Sequence, residues 1–303
     1  MPIVLKETQR ALFYAPFYAA LARDAYAAAG VDVALEPGGV AADAVQGVAS
    51  GSADVAWGGP MRVMVSHDRD AASDLVCFCE GVARDPFLLV GRERKDAFEL
   101  RDLVGLRLGA VREAPTPWMC LQDDLRRAGV DPARVHASFD RSIADNATAL
   151  QRNELDVIQT IEPIARALVN AGEGFLWHVA AHRGPTSYTC FYARRQVLQA
   201  RRPELLMMTR AVHQTQQWLH RSSAEEIAAT IGSFFADVGP ALLAQAITHY
   251  RSLGIWGRDP RLARSGYERL QQALLSGGLI RSALPYERGV DNSLAEEGMA
   301  HHG

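Results

Sequence analysis

The chain has 303 residues, 48% of them hydrophobic, which is enough to bury one large core or two modest ones. Its net charge of −3 implies no polyelectrolyte partner, so nucleic acid is not expected. Four cysteines, Cys77, Cys79, Cys120 and Cys190, form no disulfide framework and no zinc spacing. The basic residues are almost all arginine, and any mechanism that needs a lysine must use Lys6 or Lys95.

"MPIVLKETQ" enters strand-like sequence directly, without the basic leader, apolar core and cleavage site of an export signal. No apolar run reaches membrane-spanning length, so no membrane span is expected. "PIVLKE" reads as a strand. "APFYAALARDAYAAAG" reads as a helix with Pro16 in its first turn and Gly30 at its stop. "VDVALE" is a strand, residues 40–50 a helix, and "ADVAWGG" a strand ending in glycines. "DLVCFCEGVA" and "PFLLVGR" are further strands. On a strand Cys77 and Cys79, two apart, are expected to share a face.

The pattern then restarts. "LRLGAV" is a strand, residues 117–129 a helix, "VHASF" a strand, residues 144–153 a helix and "LDVIQTI" a strand. A helix over residues 163–171 follows, then the strand-like "FLWHVAA" and "TSYTCFYARR". Strands alternating with helices of this length indicate mainly parallel α/β sheets. After Arg202 the character turns helical: "PELLMMTRAVHQTQQWLH", a segment capped by Ser223 and Glu226, "PALLAQAITHYRSLG" and "ARSGYERLQQALLSGG". The tail after Asn292 is expected to fray.

Residues 42–55, "ADAVQGVASGSADV", are echoed by 144–157, "ADNATALQRNELDV", with the same spacing between the two Asp residues. The preceding Gly-Val-Asp units correspond as well. The echo indicates two lobes built on one plan, each with its own sheet. Ligands bind beyond the carboxyl ends of strands in such sheets. The two echoed strands end in Trp57-Gly58-Gly59-Pro60 and in Gln159-Thr160-Ile161-Glu162-Pro163, each an irregular loop before a new helix. Gly58 and Gly59 allow close approach to the backbone, for a ligand or for strand–helix packing alike. The loop "ETQRALFYAPFY", with Thr8, Arg10 and Tyr14, and the helix start at Thr116, Pro117 and Trp118 occupy equivalent mouths. Phe17 and Trp57 read as core aromatics. For Phe13, Tyr14 and Trp118, core packing and ligand stacking are both open. His178 and His182 do not converge on a strand, and His67 beside Asp68 reads as a solvated helix end. No nucleophile elbow, P-loop or His-Glu-x-x-His motif is present.

"YAPFYAALARDAYAAAGVDVALEPGG", "AVQGVASGSADVAWGGP", "DPFLLVGR" and "LPYERGVDN" resemble the substrate-binding proteins of ABC importers in the group related to the yeast thiamine-pyrimidine synthase. The resemblance covers residues 3–292. It implies a type II periplasmic-binding-protein fold, α/β with two lobes, each a mainly parallel sheet flanked by helices, joined by two crossovers. The crossovers map near Arg84–Arg92 and Thr186–Arg194. Lobe one is then residues 1–85 with 186–303, and lobe two residues 86–185.

Against the synthase branch, the cofactor lysine falls on Gly58, the donor histidine on Arg62, and the cysteine cluster on "GPTSYTC". Cys77-Phe78-Cys79 lies in a different segment. Thr8 stands near a usual tryptophan, and Glu162 matches an acidic cleft position. The resemblance implies a non-catalytic receptor, without cofactor or metal, that captures a small polar or heteroaromatic molecule for an ABC permease. Gly58, Gly59, Thr116 and Thr160 would supply hydrogen bonds, Arg62 and Glu162 would read charge, and Tyr14, Trp118 and Tyr188 would line the walls, with Thr8 and Arg10 beside them. The alternative is a cytoplasmic enzyme or sensor of thiamine or pyrimidine metabolism. The family implies the periplasm; Met1 as the true start implies the cytoplasm.

Overall fold

The computed structural model describes residues 1–38 and 41–300. The chain opens with β1 (Ile3–Lys6), then α1 (Ala15–Ala22) and α2 (Ala25–Ala28), β2 (Val33–Glu36), α3 (Ala41–Ser50), β3 (Val55–Gly58), α4 (Met61–Arg69) and β4 (Leu75–Val82). The second unit runs β5 (Leu88–Gly91), β6 (Arg107–Gly109), α5 (Thr116–Arg127), β7 (His136–Ser138), α6 (Ile143–Gln151), β8 (Val157–Thr160), α7 (Ile164–Ala171) and β9 (Phe175–Val179). The chain returns through β10 (Thr189–Arg194) and ends in helices: α8 (Arg195–Ala200), α9 (Arg202–Arg221), α10 (Ala224–Ile231), α11 (Pro240–Ser252), α12 (Arg264–Ser276), α13 (Tyr286–Gly289) and α14 (Ser293–Ala300).

The two five-stranded sheets have the same plan, β2-β1-β3-β10-β4 and β7-β6-β8-β5-β9. In each, three parallel strands are followed by an antiparallel one: β10 against β3, and β5 against β8. That antiparallel strand lies across a crossover in both lobes. The sequence echo has a chemical cause. Asp54 and Asp156 stand just before β3 and β8, and each pairs its backbone N–H with the neighbouring strand, Asp54 to Val4 and Asp156 to Arg107. Each carboxylate also accepts the N–H of that same residue, at 2.9 and 3.0 Å. One aspartate thus extends the ladder beyond what backbone alone could reach.

The chain passes between sheets at residues 83–87 and 184–188, so the expected crossovers run on into β5 and β10. The expected first helix is broken between α1 and α2, where Asp24 adopts a left-handed conformation (φ 51°) and Arg23 lies 4.1 Å over the Trp218 ring. Ser223 caps α10 through the Glu226 N–H, but Glu226 turns its carboxylate to the Trp218 indole instead of closing the box. Through Ala300 the tail does not fray: α14 packs on α9, with Leu294 and Ala295 buried and Arg202 holding Ser293 and Glu297. Val40, at the start of the expected second helix, and His301 and His302 lie outside the described residues.

Cys77 and Cys79 are on opposite faces of their sheet. The register of β4 against β10 slips between Phe78 and Glu80, and Cys79 takes φ 54° as the extra residue. This bulge turns Cys79 toward Phe78 and the α9 side, while Cys77 stays with Cys190 on the α12 side. Period-two reasoning fails wherever one residue is inserted.

One apolar cluster runs from the helical shell of lobe one through Phe13, Trp57 and Phe87 to Ile158 and Ile161 of lobe two. The lobes also meet through α5 on α12 and α7 on α11. The two lobes are thus in contact on both sides of the crossovers.

Candidate functional site

The site is built from the carboxyl ends of β1 and β3 and the two crossovers. After β1 the chain makes a single tight turn at Leu12–Tyr14 before α1, and this turn places Phe13 and Tyr14 inward. Thr8, fully buried, has its hydroxyl 3.2 Å from the Tyr14 hydroxyl. The Tyr14 ring lies 4.3 Å from Phe13 and 6.1 Å from Trp57. Phe87 from the first crossover and Tyr188 from the second stand 5.9 Å apart, and both reach Phe13 at 6.2 and 6.4 Å. Five aromatic residues from four segments thus meet where the lobes join. Trp256 fixes this turn by donating its indole N–H to the Phe13 carbonyl at 2.9 Å.

Gly58 and Gly59 owe their size to neighbours. A Cβ on Gly58 would stand 3.0 Å from the Arg62 Nε and 3.2 Å from the Tyr192 ring. One on Gly59 would stand 3.2 Å from the Tyr188 carbonyl. Arg62, in the first turn of α4, acts on both Tyr14 and Tyr192; burial raises the pKa of each phenol, and the guanidinium charge partly offsets that rise. Burial likewise raises Tyr188 far above its ordinary value, so all three stay as neutral hydroxyls able to donate.

Buried polar atoms without a hydrogen-bond partner among the described residues include Trp57 Nε1, Tyr188 OH and Tyr192 OH here and Thr160 Oγ1 at the facing strand end. Buried polar groups are nearly always paired, so these atoms are open to a water or a ligand. Trp57 belongs to the core by its ring, stacked on Phe17 at 5.4 Å and edge-on to Tyr18, with only its N–H unsatisfied.

The acids nearby are already engaged. Glu7 takes both ends of the Arg10 guanidinium, at 2.7 and 3.0 Å, and the Tyr18 hydroxyl at 2.5 Å. Burial works against its charge, but these hydrogen bonds prevail and hold its pKa below the usual range. Arg10 is spent in this strut, donating also to the Phe234 carbonyl and lying over the Tyr18 and Phe234 rings. Asp85, in the first crossover, accepts from Arg183 at 2.5 Å and from the Phe87 N–H; burial raises its pKa and Arg183 limits the rise. Arg183 turns its other edge to Asp124 of α5, clipping a crossover to lobe two.

Glu162 is buried with both oxygens occupied. Oε2 accepts the Arg166 N–H in the first turn of α7 at 2.9 Å, and Oε1 lies 2.6 Å from His249 Nδ1 of α11. Its own N–H donates to the Tyr250 hydroxyl, which donates to the Pro86 carbonyl. It joins lobe two to lobe one. Trp118 packs edge-on against Phe139 at 5.8 Å, a half-buried position of lobe two, and Thr116 is buried as the first residue of α5. Of the residues expected at the site, the structure brings Thr8, Tyr14, Gly58, Gly59, Arg62 and Tyr188 together, with Thr160 at the facing strand end. Arg10, Glu162 and Trp118 have other partners.

Sequence reasoning missed Phe87, Tyr192 and His249. Phe87 and Tyr192 sit in apolar strand-like runs that read as core, and His249 lies 87 residues from Glu162 on a helix with no local motif. Among the described residues no group of His, Cys, Asp or Glu could hold a metal ion, and no single helix is long and apolar enough to cross a membrane.

Two lobes of one topology, joined by two short crossovers with the site between, define the two-lobed binding-protein class. The chain belongs to the NMT1/THI5 like family, whose model matches residues 13–224. It is 25% identical over 300 residues to YtlA of Bacillus subtilis (strain 168), named as a candidate binding protein, covering 97% of this chain and 89% of that one. The fold is shared with the alkanesulfonate-binding protein SsuA from Xanthomonas axonopodis pv. citri bound to MOPS, at TM-score 0.75, 14% identity and coverage of 96% and 98%. It is also shared with the desulfurization enzyme DSZB, at TM-score 0.69, 13% identity and 99% of both chains.

Proposed function

We propose that this chain is the solute receptor of an ABC importer, closing its lobes around a small molecule with a flat apolar body and an acceptor-rich, anionic head. One observation carries this reading. The Tyr192 hydroxyl beside Arg62, Trp57 Nε1 and the Tyr188 and Thr160 hydroxyls are buried without hydrogen-bond partners among the described residues, while Glu7, Asp85 and Glu162 are each tied within the protein. These groups offer donors; of the acids, Glu80 and Glu113 each keep one oxygen unpaired among the described residues, and burial holds Glu80 toward its neutral form. Phe13, Tyr14, Phe87 and Tyr188 supply rings against which a planar ligand packs. Thr8, Gly58, Gly59 and the α5 terminus at Thr116 complete the lining; Arg10, Glu162 and Trp118 shape it from behind.

Residues 1–85 with 186–303 and residues 86–185 would then move as two bodies about the crossovers. In this role the protein would meet its permease on the outer face of the cytoplasmic membrane. Enzymes share the fold, as DSZB shows, so the fold alone does not choose. The thiols favour a receptor: burial holds Cys79, Cys120 and Cys190 far above the ordinary thiol range, which disfavours a thiolate nucleophile.

A thermal-shift screen of aryl and alkyl sulfonates, carboxylates, nitrate and neutral or cationic pyrimidines tests the reading. Anions with a ring should raise the melting temperature by mass action. A shift confined to cationic pyrimidines would overturn the assignment of charge, and turnover of any hit would overturn the receptor.

A further inference from the structure

Lobe one carries a groove of about 730 Å³ between α10 and α11, separated from the aromatic cluster at the lobe junction by Tyr18, which lies between Phe235 and Trp57. The two helices, with the turn between them, meet at 115° and are apolar along most of their length. Their divergence leaves the groove with a floor of Ala228, Phe235, Leu243 and Ala244, all buried. Its volume lies within the range of about 300–1,000 Å³ typical of small-molecule sites.

The groove does not end at lobe one. Gln245 and Thr248 line it and also line a second depression of about 450 Å³, whose other walls are His249 and Ser252 of α11 and Arg166 and Asn170 of α7. That compartment is polar, spans the lobe boundary and has no carboxylate in its lining. Glu162 lies behind it with its oxygens accepting from the Arg166 N–H and from His249. The Arg166 guanidinium approaches Glu162 only to 3.8 Å, and its Nε has no hydrogen-bond partner among the described residues. Glu225 lines the opposite, apolar groove.

We propose that this is a second binding site, for a free amphipathic carboxylate whose alkyl chain lies between α10 and α11 and whose head group reaches Arg166 at the lobe boundary. An apolar channel that ends in an arginine and amide donors fits such a molecule on chemistry. The ion pair with Glu162 is loose, at 3.8 Å, so a carboxylate head still gains from Arg166, whereas an alkylamine would meet the cation and a neutral alcohol would gain less. The head group would lie where the lobes meet, since Asn170 of α7 donates to Gln245 of α11 at 2.7 Å there. The site stands whether or not the cleft reading holds, since the two share no lining residue and only Glu162 stands behind both.

The test titrates monomeric decanoate, decan-1-ol and butanoate into the full chain, followed by calorimetry and ligand-observed NMR. Gly232 lines the groove in a helical conformation (φ −56°), and a Cβ there meets nothing within 4 Å. Gly232→Leu therefore fills the groove without strain, and the melting temperature checks that the fold is kept. Decanoate should bind, butanoate should not, and Gly232→Leu should weaken decanoate about tenfold or more. Arg166→Gln should weaken decanoate several-fold and leave decan-1-ol unchanged. Decanoate binding that survives Gly232→Leu, or decan-1-ol binding as tightly as decanoate, overturns the proposal. So does attachment to anionic phospholipid vesicles with no binding of monomeric decanoate, which would make the groove a membrane-facing surface.

Discussion

Glu162→Gln separates a strut from a ligand contact. The structure gives Glu162 two acceptor duties, the Arg166 N–H within lobe two and His249 across the boundary. Glutamine keeps one carbonyl oxygen for the helix end and turns its amide to His249, which can still accept in its other tautomer. The loss is the difference between a charge-assisted and a neutral hydrogen bond, about 1–1.5 kcal/mol. Because that bond exists only when the lobes are closed, the loss falls on closure, and ligand affinity should drop roughly five- to twelvefold without any contact to the ligand. Calorimetric titration of Glu162→Gln, His249→Gln and the double variant with a ligand validated by the thermal screen forms a complete cycle. A strut predicts that the double variant loses little more than either single one. An equal loss from Glu162→Gln with and without His249 would refute the strut and place the carboxylate on the ligand.

Glu80 gives a pH prediction: burial raises its pKa to about 8, and its Oε1 lacks a hydrogen-bond partner among the described residues. The folded state keeps the proton that the unfolded chain releases above its ordinary pKa, so stability falls as pH rises from about 5 to about 8, by up to about 1.4 kcal/mol per unit, and levels off above. Urea melts at three pH values should show that slope relative to a flat Glu80→Gln; parallel curves would mean Glu80 is ionised in the fold. Gly58→Ala should push Arg62 aside and weaken binding of a validated anion by about tenfold with the melting temperature nearly kept, whereas unchanged binding would remove Arg62 from the site. Ending the chain at Asn292 uncovers the Leu294 site on α9 and should cost about 3 kcal/mol, read as a lowered midpoint in urea; an unchanged midpoint would show that α14 contributes nothing.

The alternation of strand and helix was legible because each element is amphipathic or capped in isolation. The duplication was legible because Asp54 and Asp156 do the same local work before β3 and β8. What escaped were features set by partners far along the chain. Nothing near Cys79 announces a bulge, because the bulge exists only against Cys190 and Phe191 of β10. Asp24 breaks the first helix where Arg23 finds Trp218, nearly two hundred residues away. The site was half legible for the same reason. Thr8, Gly58, Gly59 and Arg62 follow strand ends that local pattern locates. Whether Arg10 and Glu162 face a ligand or another side chain depended on Glu7, Phe234 and His249, and only the folded chain decides that.

Strand β4 bridges at Cys77 to Val290 and at Val82 to Trp256 on one edge. Its sheet neighbour on the other edge is β10, and every residue from Leu75 to Val82 is buried in the finished protein. On a ribosome that neighbour emerges about a hundred residues later, after the whole of lobe two. At roughly 5–20 residues per second, the nascent chain holds this apolar strand without its partner for some 5–20 s. During that interval lobe two can complete its sheet, since β5 through β9 are contiguous, while lobe one cannot. Holdase chaperones should therefore engage the newborn chain around "LVCFCEGV" and let go only once Val290, which closes the other edge at Cys77, has cleared the exit tunnel.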